Sequence, residues 1–233
     1  MSDQTTGGPV GHDLSRSIAE RLAVVEEHIL AEGRRLNEVK IVAVTKGFGA
    51  DTVRAASVAG LTMFGENYAD ELVAKATELA NDGGFGGGWT FQGRLQSNKI
   101  NRLAPFVSLW QTVGSVAQSD ALAKRVPAAE VLVQVNLTGR AEQAGVRADG
   151  VGAVIEAAQA SGLHVRGLMG IGPDTTDQLA RRHAFAMLRR ATLRHGLRET
   201  SMGMSDDYVD ALAEGSTMIR VGSVLFGRRP SKA

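Results

Sequence analysis

The sequence predicts a single (β/α)₈ barrel, a TIM barrel, with an extra N-terminal helix. Three observations carry that expectation. Strand-like and helix-like segments alternate along the chain, eight strands can be counted, and no linker wide enough to separate domains interrupts them. Such alternation implies parallel strands, and eight units suit a closed barrel better than a doubly wound open sheet. A length of 233 residues is ordinary for one such barrel.

Residues 1–13 are polar and glycine-rich and are expected to form a disordered tail, leaving 14–233 as the barrel domain. Leu14, Ile18, Leu22, Val25, Ile29 and Leu36 recur near helical spacing, so a long amphipathic helix precedes the first strand. Strand one is 40–45 (KIVAVT), followed by a helix that Asp51 caps and Gly60 stops. Strand two is 61–64, and a helix follows to Ala80. Residues 81–88 hold five glycines around Phe85 and are expected to be the most mobile internal loop. Strands then fall at 89–92, 107–112, 130–137, 164–171, 199–202 and 217–226. Helices are expected between them at 97–103, 116–125, 149–160, 177–195 and 206–213.

Bulk properties remove several classes of function. Lys plus Arg (26) and Asp plus Glu (25) leave a net charge of +1, so nothing suggests an electrostatic grip on nucleic acid or an anionic membrane. No run of 18 apolar residues and no signal-peptide core is present. Absence of cysteine excludes disulfides, thiolate nucleophiles and iron–sulfur ligation. Five histidines show no ligand-type pairing, which argues against a metal. A cytoplasmic location is the default expectation.

In barrels of this type the site lies at the carboxyl ends of the strands. Those ends carry Lys46, Asn67, Gln92-Gly93, Asn136, Met169, 201–204 (SMGM) and 220–223 (RVGS). Val42, Val44 and Lys46 share one strand face, so the lysine ends a face that is otherwise apolar. Two readings stand for Lys46. It marks where the strand meets water, or it is an amine in a partly desolvated mouth whose lowered pKa lets it attack a carbonyl. Small, glycine-bearing turns at two consecutive strand ends suit a phosphate. Together with the lysine they suggest pyridoxal 5′-phosphate held as a Schiff base.

AVTKGF (43–48), FGENY (64–68), LQSNK (95–99), RGLMGI (166–171), SMGMSDD (201–207) and GSTMIRVGSVLFG (215–227) together resemble the pyridoxal phosphate homeostasis protein family. That family has the barrel of the alanine racemase N-terminal domain standing alone, and the resemblance spans about 14–229. It implies Lys46 as the Schiff-base lysine. It implies Ser201, Gly203, Met204, Gly222 and Ser223 around the phosphate, Arg220 facing the pyridine nitrogen and Asn67 beside the ring. The function implied is a non-catalytic monomeric carrier that buffers the cofactor or delivers it to pyridoxal-phosphate-dependent apo-enzymes. An amino-acid racemase of the alanine racemase kind is the alternative. A phosphate-binding aldolase-type barrel is the third reading.

Arg220 has its own argument. A guanidinium in an apolar strand needs a partner, which could be a carboxylate at the barrel mouth. Facing a pyridine nitrogen it only donates, which leaves the ring a poor electron sink. Against the racemase stand the placement of the tyrosines and the short segment 227–233. Tyr68 and Tyr208 each head a helix, and no tyrosine follows strand eight. Asp206 and Asp207 read as a capped helical turn, Ser97 as a cap, and the arginines at 181, 182, 189 and 190 as a solvated face. Met202 and Met204 are either core sulfur or members of a turn. The sequence departs from the family pattern at Thr90 and Gln92, where a histidine and an aliphatic are usual. It departs again at Gln143, where the family usually carries a lysine two residues before glycine, and this puts any two-lysine handover in doubt.

Overall fold

The computed structural model describes residues 9–81 and 85–229, with side chains from Asp13 onward. Eight parallel strands close a barrel in sequence order, β1 pairing with both β2 and β8. In chain order the elements are α1 (Pro9–Ala31), β1 (Lys40–Val44), α2 (Ala50–Val58), β2 (Met63–Glu66), α3 (Ala69–Asn81) and β3 (Gly88–Phe91). They continue with α4 (Ser97–Leu103), β4 (Val107–Val113), α5 (Val116–Ala123), β5 (Glu130–Val135), α6 (Val151–Ala160) and β6 (His164–Gly170). The last are α7 (Gln178–Arg194), β7 (Glu199–Met204), α8 (Tyr208–Ala213), β8 (Met218–Val221) and α9 (Ser223–Phe226).

Alternation along each strand sorts side chains into two layers. Val42, Val44, Leu109, Leu132, Met169 and Met218 fill the barrel interior. Their neighbours, including Ala43, Phe64, Trp89, Phe91, Trp110 and Ile219, face outward into the larger core beneath the helices. The interior is therefore packed at its base, and Lys46, two residues beyond Val44, continues the inward face at the mouth. α1 is held by a stripe of Ile18, Leu22, Val25 and Ile29, all buried. Burying each such side chain is worth roughly 1.5–3 kcal/mol. Arg21 of α1 also donates to the Leu225 carbonyl at 3.1 Å, tying it to α9.

Three expectations are corrected. α1 begins at Pro9, so residues 9–13 are helical rather than tail; 1–8 lie outside the described residues, as do 82–84 of the glycine-rich loop. β7 runs to Met204, past the expected end at Met202. β8 stops at Val221, because Gly222 turns the chain and 223–226 winds into α9 instead of prolonging the strand. Smaller shifts follow helix-end chemistry: Gly49, Gln96 and Asp177 occupy N-cap positions, so Asp51 and Ser97 sit inside their helices.

Gly203 lies one residue before the end of β7 at φ +92°, and a Cβ there would lie 2.6 Å from the Ala211 Cβ and 2.9 Å from the Tyr208 Cα. Gly203→Ala should therefore destabilise the fold by about 2 kcal/mol or more. Gly49→Ser, with open space around it at the N-cap of α2, should change stability by under about 0.5 kcal/mol. Urea unfolding of the two variants beside the parent checks the contrast.

Candidate functional site

At the carboxyl end of the barrel lies a cleft of about 330 Å³. Lys46, Asn67, Met204, Arg220, Gly222 and Ser223 line it, six of the eight residues expected there. Gln92, Ser205, Asp206, Arg228 and Arg229 join them. The cleft walls thus carry four cations against one carboxylate, a balance that favours an anionic ligand.

Lys46 sits on the turn between β1 and α2 and is half-buried. Its amine is pushed below the usual lysine range, first by desolvation, then by Arg229 and Arg220, with Glu66 acting in the opposite direction. This is the second of the two sequence readings, an amine with a larger neutral fraction than an exposed lysine has.

Arg220 is inward-facing on β8 and only 4% exposed. Its guanidinium donates to Ser201 Oγ at 2.7 Å and to the Gly170 carbonyl at 2.9 Å. Burial lowers its pKa to about 10, partly offset by Asp207, so it remains a cation at neutral pH. Its direct partners are a hydroxyl and a carbonyl rather than a carboxylate, the alternative expected; Asp207 acts on it without a hydrogen bond. Asp207 itself accepts from the Met204 N–H at 2.6 Å, and burial raises its pKa.

Ser201 and Gly203 do not line the cleft. Because β7 extends to Met204, Ser201 lies within the strand, fully buried, rather than at its end. Its hydroxyl accepts from Arg220 and donates to Gln111 Oε1 at 2.8 Å. Gln111 in turn donates to Thr90 Oγ1 at 3.1 Å, and Gln92 donates to the same oxygen at 3.3 Å. Thr90 and Gln92, the two departures from the family pattern, thus complete a polar chain across the barrel that ends at Arg220.

The residue that sequence reasoning passed over at this strand end is Ser205. Its hydroxyl accepts from the N–H groups of Gly222 at 3.1 Å and Val224 at 3.4 Å, bridging the β7 and β8 ends. Arg228 and Arg229 were also missed; the FGRR string after strand eight was the available signal. Met202 is core, as one of its two readings had it, whereas Met204 reaches the cleft. Asn136 turns away to organise the β5–α6 loop, donating to the Arg140 and Gln143 carbonyls. Gln143 pins that loop: its amide accepts from the Thr138 hydroxyl at 2.7 Å and donates to the Ile171 carbonyl at 3.0 Å. The solvated arginine face is only partly correct. Arg181 bonds the buried Asp210, and Arg189 bonds Thr200; Arg182 and Arg190 are exposed.

Two features match a bound pyridoxal phosphate. Asn67 Oδ1 is buried at the cleft with no hydrogen-bond partner. Gly222 lines the cleft with bare backbone, since a Cβ there would come within 2.9 Å of the Val44 carbonyl oxygen. With a half-buried amine, two hydroxyls and the cations already named, the donor set suits a phosphate-bearing aldehyde.

Residues 16–230 match the family described as alanine racemase, N-terminal domain. A pyridoxal phosphate homeostasis protein from Pseudomonas aeruginosa is 38% identical, the match covering 93% of this chain and 96% of the relative. One from Escherichia coli is 33% identical over 91% of this chain and 97% of its own. The PipY structure from Synechococcus elongatus solved with PLP bound superposes with a TM-score of 0.78 at 32% identity, over 90% of this chain and all (100%) of that one. Alanine racemase from Clostridium difficile shares the fold, with a TM-score of 0.71 at 14% identity over 93% of this chain and 58% of its own.

Ser201→Ala should cost roughly 1–3 kcal/mol of stability, because it strips Arg220 of a buried acceptor and Gln111 of a donor. Ser205→Ala, half-exposed, should cost less than about 1 kcal/mol. Chemical denaturation of both variants tests the assignment of Ser201 to the barrel wall rather than to the ligand.

Proposed function

This chain belongs to the pyridoxal phosphate homeostasis protein family, built on the alanine racemase N-terminal domain, and from that premise we propose that it holds pyridoxal 5′-phosphate reversibly on Lys46. Its role is to buffer or deliver the cofactor without turnover of its own. The observation that carries this is the half-buried Lys46 amine, lowered in pKa, facing a cationic cleft. When bound, the cofactor supplies an aldehyde that condenses with an amine and releases water. Ser205, Ser223 and Arg229 would hold the phosphate, Asn67 would lie beside the ring, and Arg220 would face its nitrogen.

In this reading Lys46 presents an amine whose neutral fraction burial enlarges, and the Ser201 chain fixes the Arg220 guanidinium so that it donates. Among the described residues no helix is long and apolar enough to cross a membrane. We place the protein in the cytoplasm as a monomer, with pyridoxal-phosphate-dependent apo-enzymes as recipients.

Pyridoxal phosphate added to the purified protein should give a visible absorption band, and borohydride should fix the label on Lys46. Lys46→Ala should lose both. Pyridoxal without its phosphate should bind about a hundredfold more weakly or worse, since two charge-assisted hydrogen bonds at roughly 1.5–3 kcal/mol each are forfeited. A fixed label of equal strength in the variant, or equal affinity for the two ligands, would sink the assignment.

Racemisation needs bases on both faces of the substrate Cα. Lys46 could serve one, but neither tyrosine lines the cleft: Tyr68 is 59% exposed, and Tyr208 shares a hydrogen bond with His28 of α1. Cofactor-loaded protein incubated with L-alanine in deuterated water should therefore show no sustained D-alanine formation. Turnover near 1–10³ s⁻¹, about the range of ordinary enzymes, would favour the racemase.

A further inference from the structure

Lys46 stands in a turn, yet the chain on both sides of it is gripped from behind the barrel wall. The Thr45 carbonyl accepts from Lys75 Nζ at 2.7 Å, and the Thr45 hydroxyl donates to Glu66 Oε1 at 2.6 Å. On the other side the Gly47 N–H donates to Glu71 Oε2 at 2.8 Å. Lys75 Nζ also lies 2.6 Å from Glu66 Oε1 and 3.6 Å from Glu71 Oε2. Glu66 is the last residue of β2; Lys75 and Glu71 are one turn apart on α3.

Strand alternation puts this cluster outside the cleft. Val44 packs in the interior, so Thr45 points outward, and Glu66 follows Phe64 onto the same outer face. The Glu66 and Lys75 side chains are 0% and 7% exposed, an ion pair almost withdrawn from water. Such a pair is costly, and apolar residues of similar volume often do as well or better. Glu66 carries a further cost, because its Oε2 is buried with no hydrogen-bond partner. Packing alone does not account for a charged pair at this position; a hold on the neighbouring lysine does.

We propose that Glu66 and Lys75 are a positioning pair for Lys46, with Glu71 as the third member. Lys75 and Glu71 fix the peptides flanking Lys46, and Glu66 balances the Lys75 charge so that the Lys46 amine does not face a bare cation through the wall. The proposal rests on Lys46 being the point of attachment. Arg229 from beyond α9 and Arg220 from β8 lower the proton affinity of that lysine's amine and Glu66 from β2 raises it; Arg228 and Asp206 share the cleft, and Lys75 and Glu71 lie behind the wall on α3. Removing the Glu66 charge leaves Lys75 uncompensated, and Lys46 then gives up its proton at lower pH.

The test begins on ligand-free protein. Competitive labelling with acetic anhydride across pH, read at Lys46 by peptide mass spectrometry, gives the midpoint of its titration. Glu66→Gln should lower that midpoint by about one pH unit, a tenfold loss of proton affinity. The double variant E66Q/K75M, which buries neither charge, should bring it back toward the parent value. Simple loosening of the turn predicts the reverse, a double variant further from the parent than the single one. Glu71→Gln, at a half-exposed position where the amide still accepts from Gly47, should lower the midpoint about threefold in proton affinity. It also carries the test if E66Q does not fold. An unmoved midpoint in E66Q and E71Q, or no recovery in the double variant, overturns the proposal. The same proteins are then treated with pyridoxal phosphate and borohydride. If the parent gives no label at Lys46, the functional reading fails independently of the titration result.

Discussion

Pairing of β1 with β8 is the constraint on which the site depends. Its register sets Val42 against Arg220 and Ala43 against Val221. With that register the inward residues of the two closing strands fall at matched heights. Lys40 lies level with Met218 and Val42 with Arg220, which carries Val44 to the level of Gly222 and Lys46 two residues further, to the mouth. A slip of one residue would turn Arg220 out of the barrel and bring Ile219 or Val221 into its place. Closure of the barrel and assembly of the cleft are thus one event in folding.

Much of this was legible in the chain because strand alternation is a local signal. The KIVAVTK run fixed the inward face of β1, and the Lys46 amine lies where that face predicts. What periodicity could not show was where a strand stops. TMIRVGSVLF reads as one apolar run, but Gly222 divides it, since the hydroxyl of Ser205 takes up the N–H groups of Gly222 and Val224 and favours a helical turn there. That bond joins residues 17 and 19 positions apart. The role of Ser201 was hidden for a similar reason. Its partners, Gln111 and Arg220, come from strands β4 and β8, and only barrel closure brings them within reach. The Glu66–Lys75 pair left no trace in composition, because a lysine on a helix is usually at the surface.

Net charge misleads about the cleft in the same way. The chain as a whole is almost neutral at +1, yet Lys46, Arg220, Arg228 and Arg229 converge on one mouth where Asp206 is the one carboxylate among the described lining residues. Burial strengthens each interaction by lowering the local dielectric. The same burial lowers the pKa of both Lys46 and Arg220, with opposite consequences. Lys46 begins from an ordinary lysine value, so the shift enlarges its reactive neutral fraction. Arg220 begins so high that even a value near 10 leaves it charged at neutral pH. One environment therefore sets an amine with an enlarged neutral fraction beside a permanent donor.

On the proposed reading, that permanence favours holding a cofactor over driving chemistry with it. A ring nitrogen that meets a carboxylate is protonated and draws electrons; one that meets a guanidinium accepts a hydrogen bond and does so less. Arg220 cannot rotate freely to another role, because Ser201 and Gly170 fix two of its nitrogens and the chain through Gln111 and Thr90 backs Ser201. Gln143 works in the same direction from the other side of the barrel. Where a lysine would offer a second amine, its amide is engaged within the wall by Thr138 and Ile171. Among its described lining residues the cleft then presents one amine, Lys46, and a rigid donor, Arg220. With that one amine among the described lining residues, release of the cofactor on the proposed attachment would follow reversal at Lys46, and Gln143 offers no second amine to receive it.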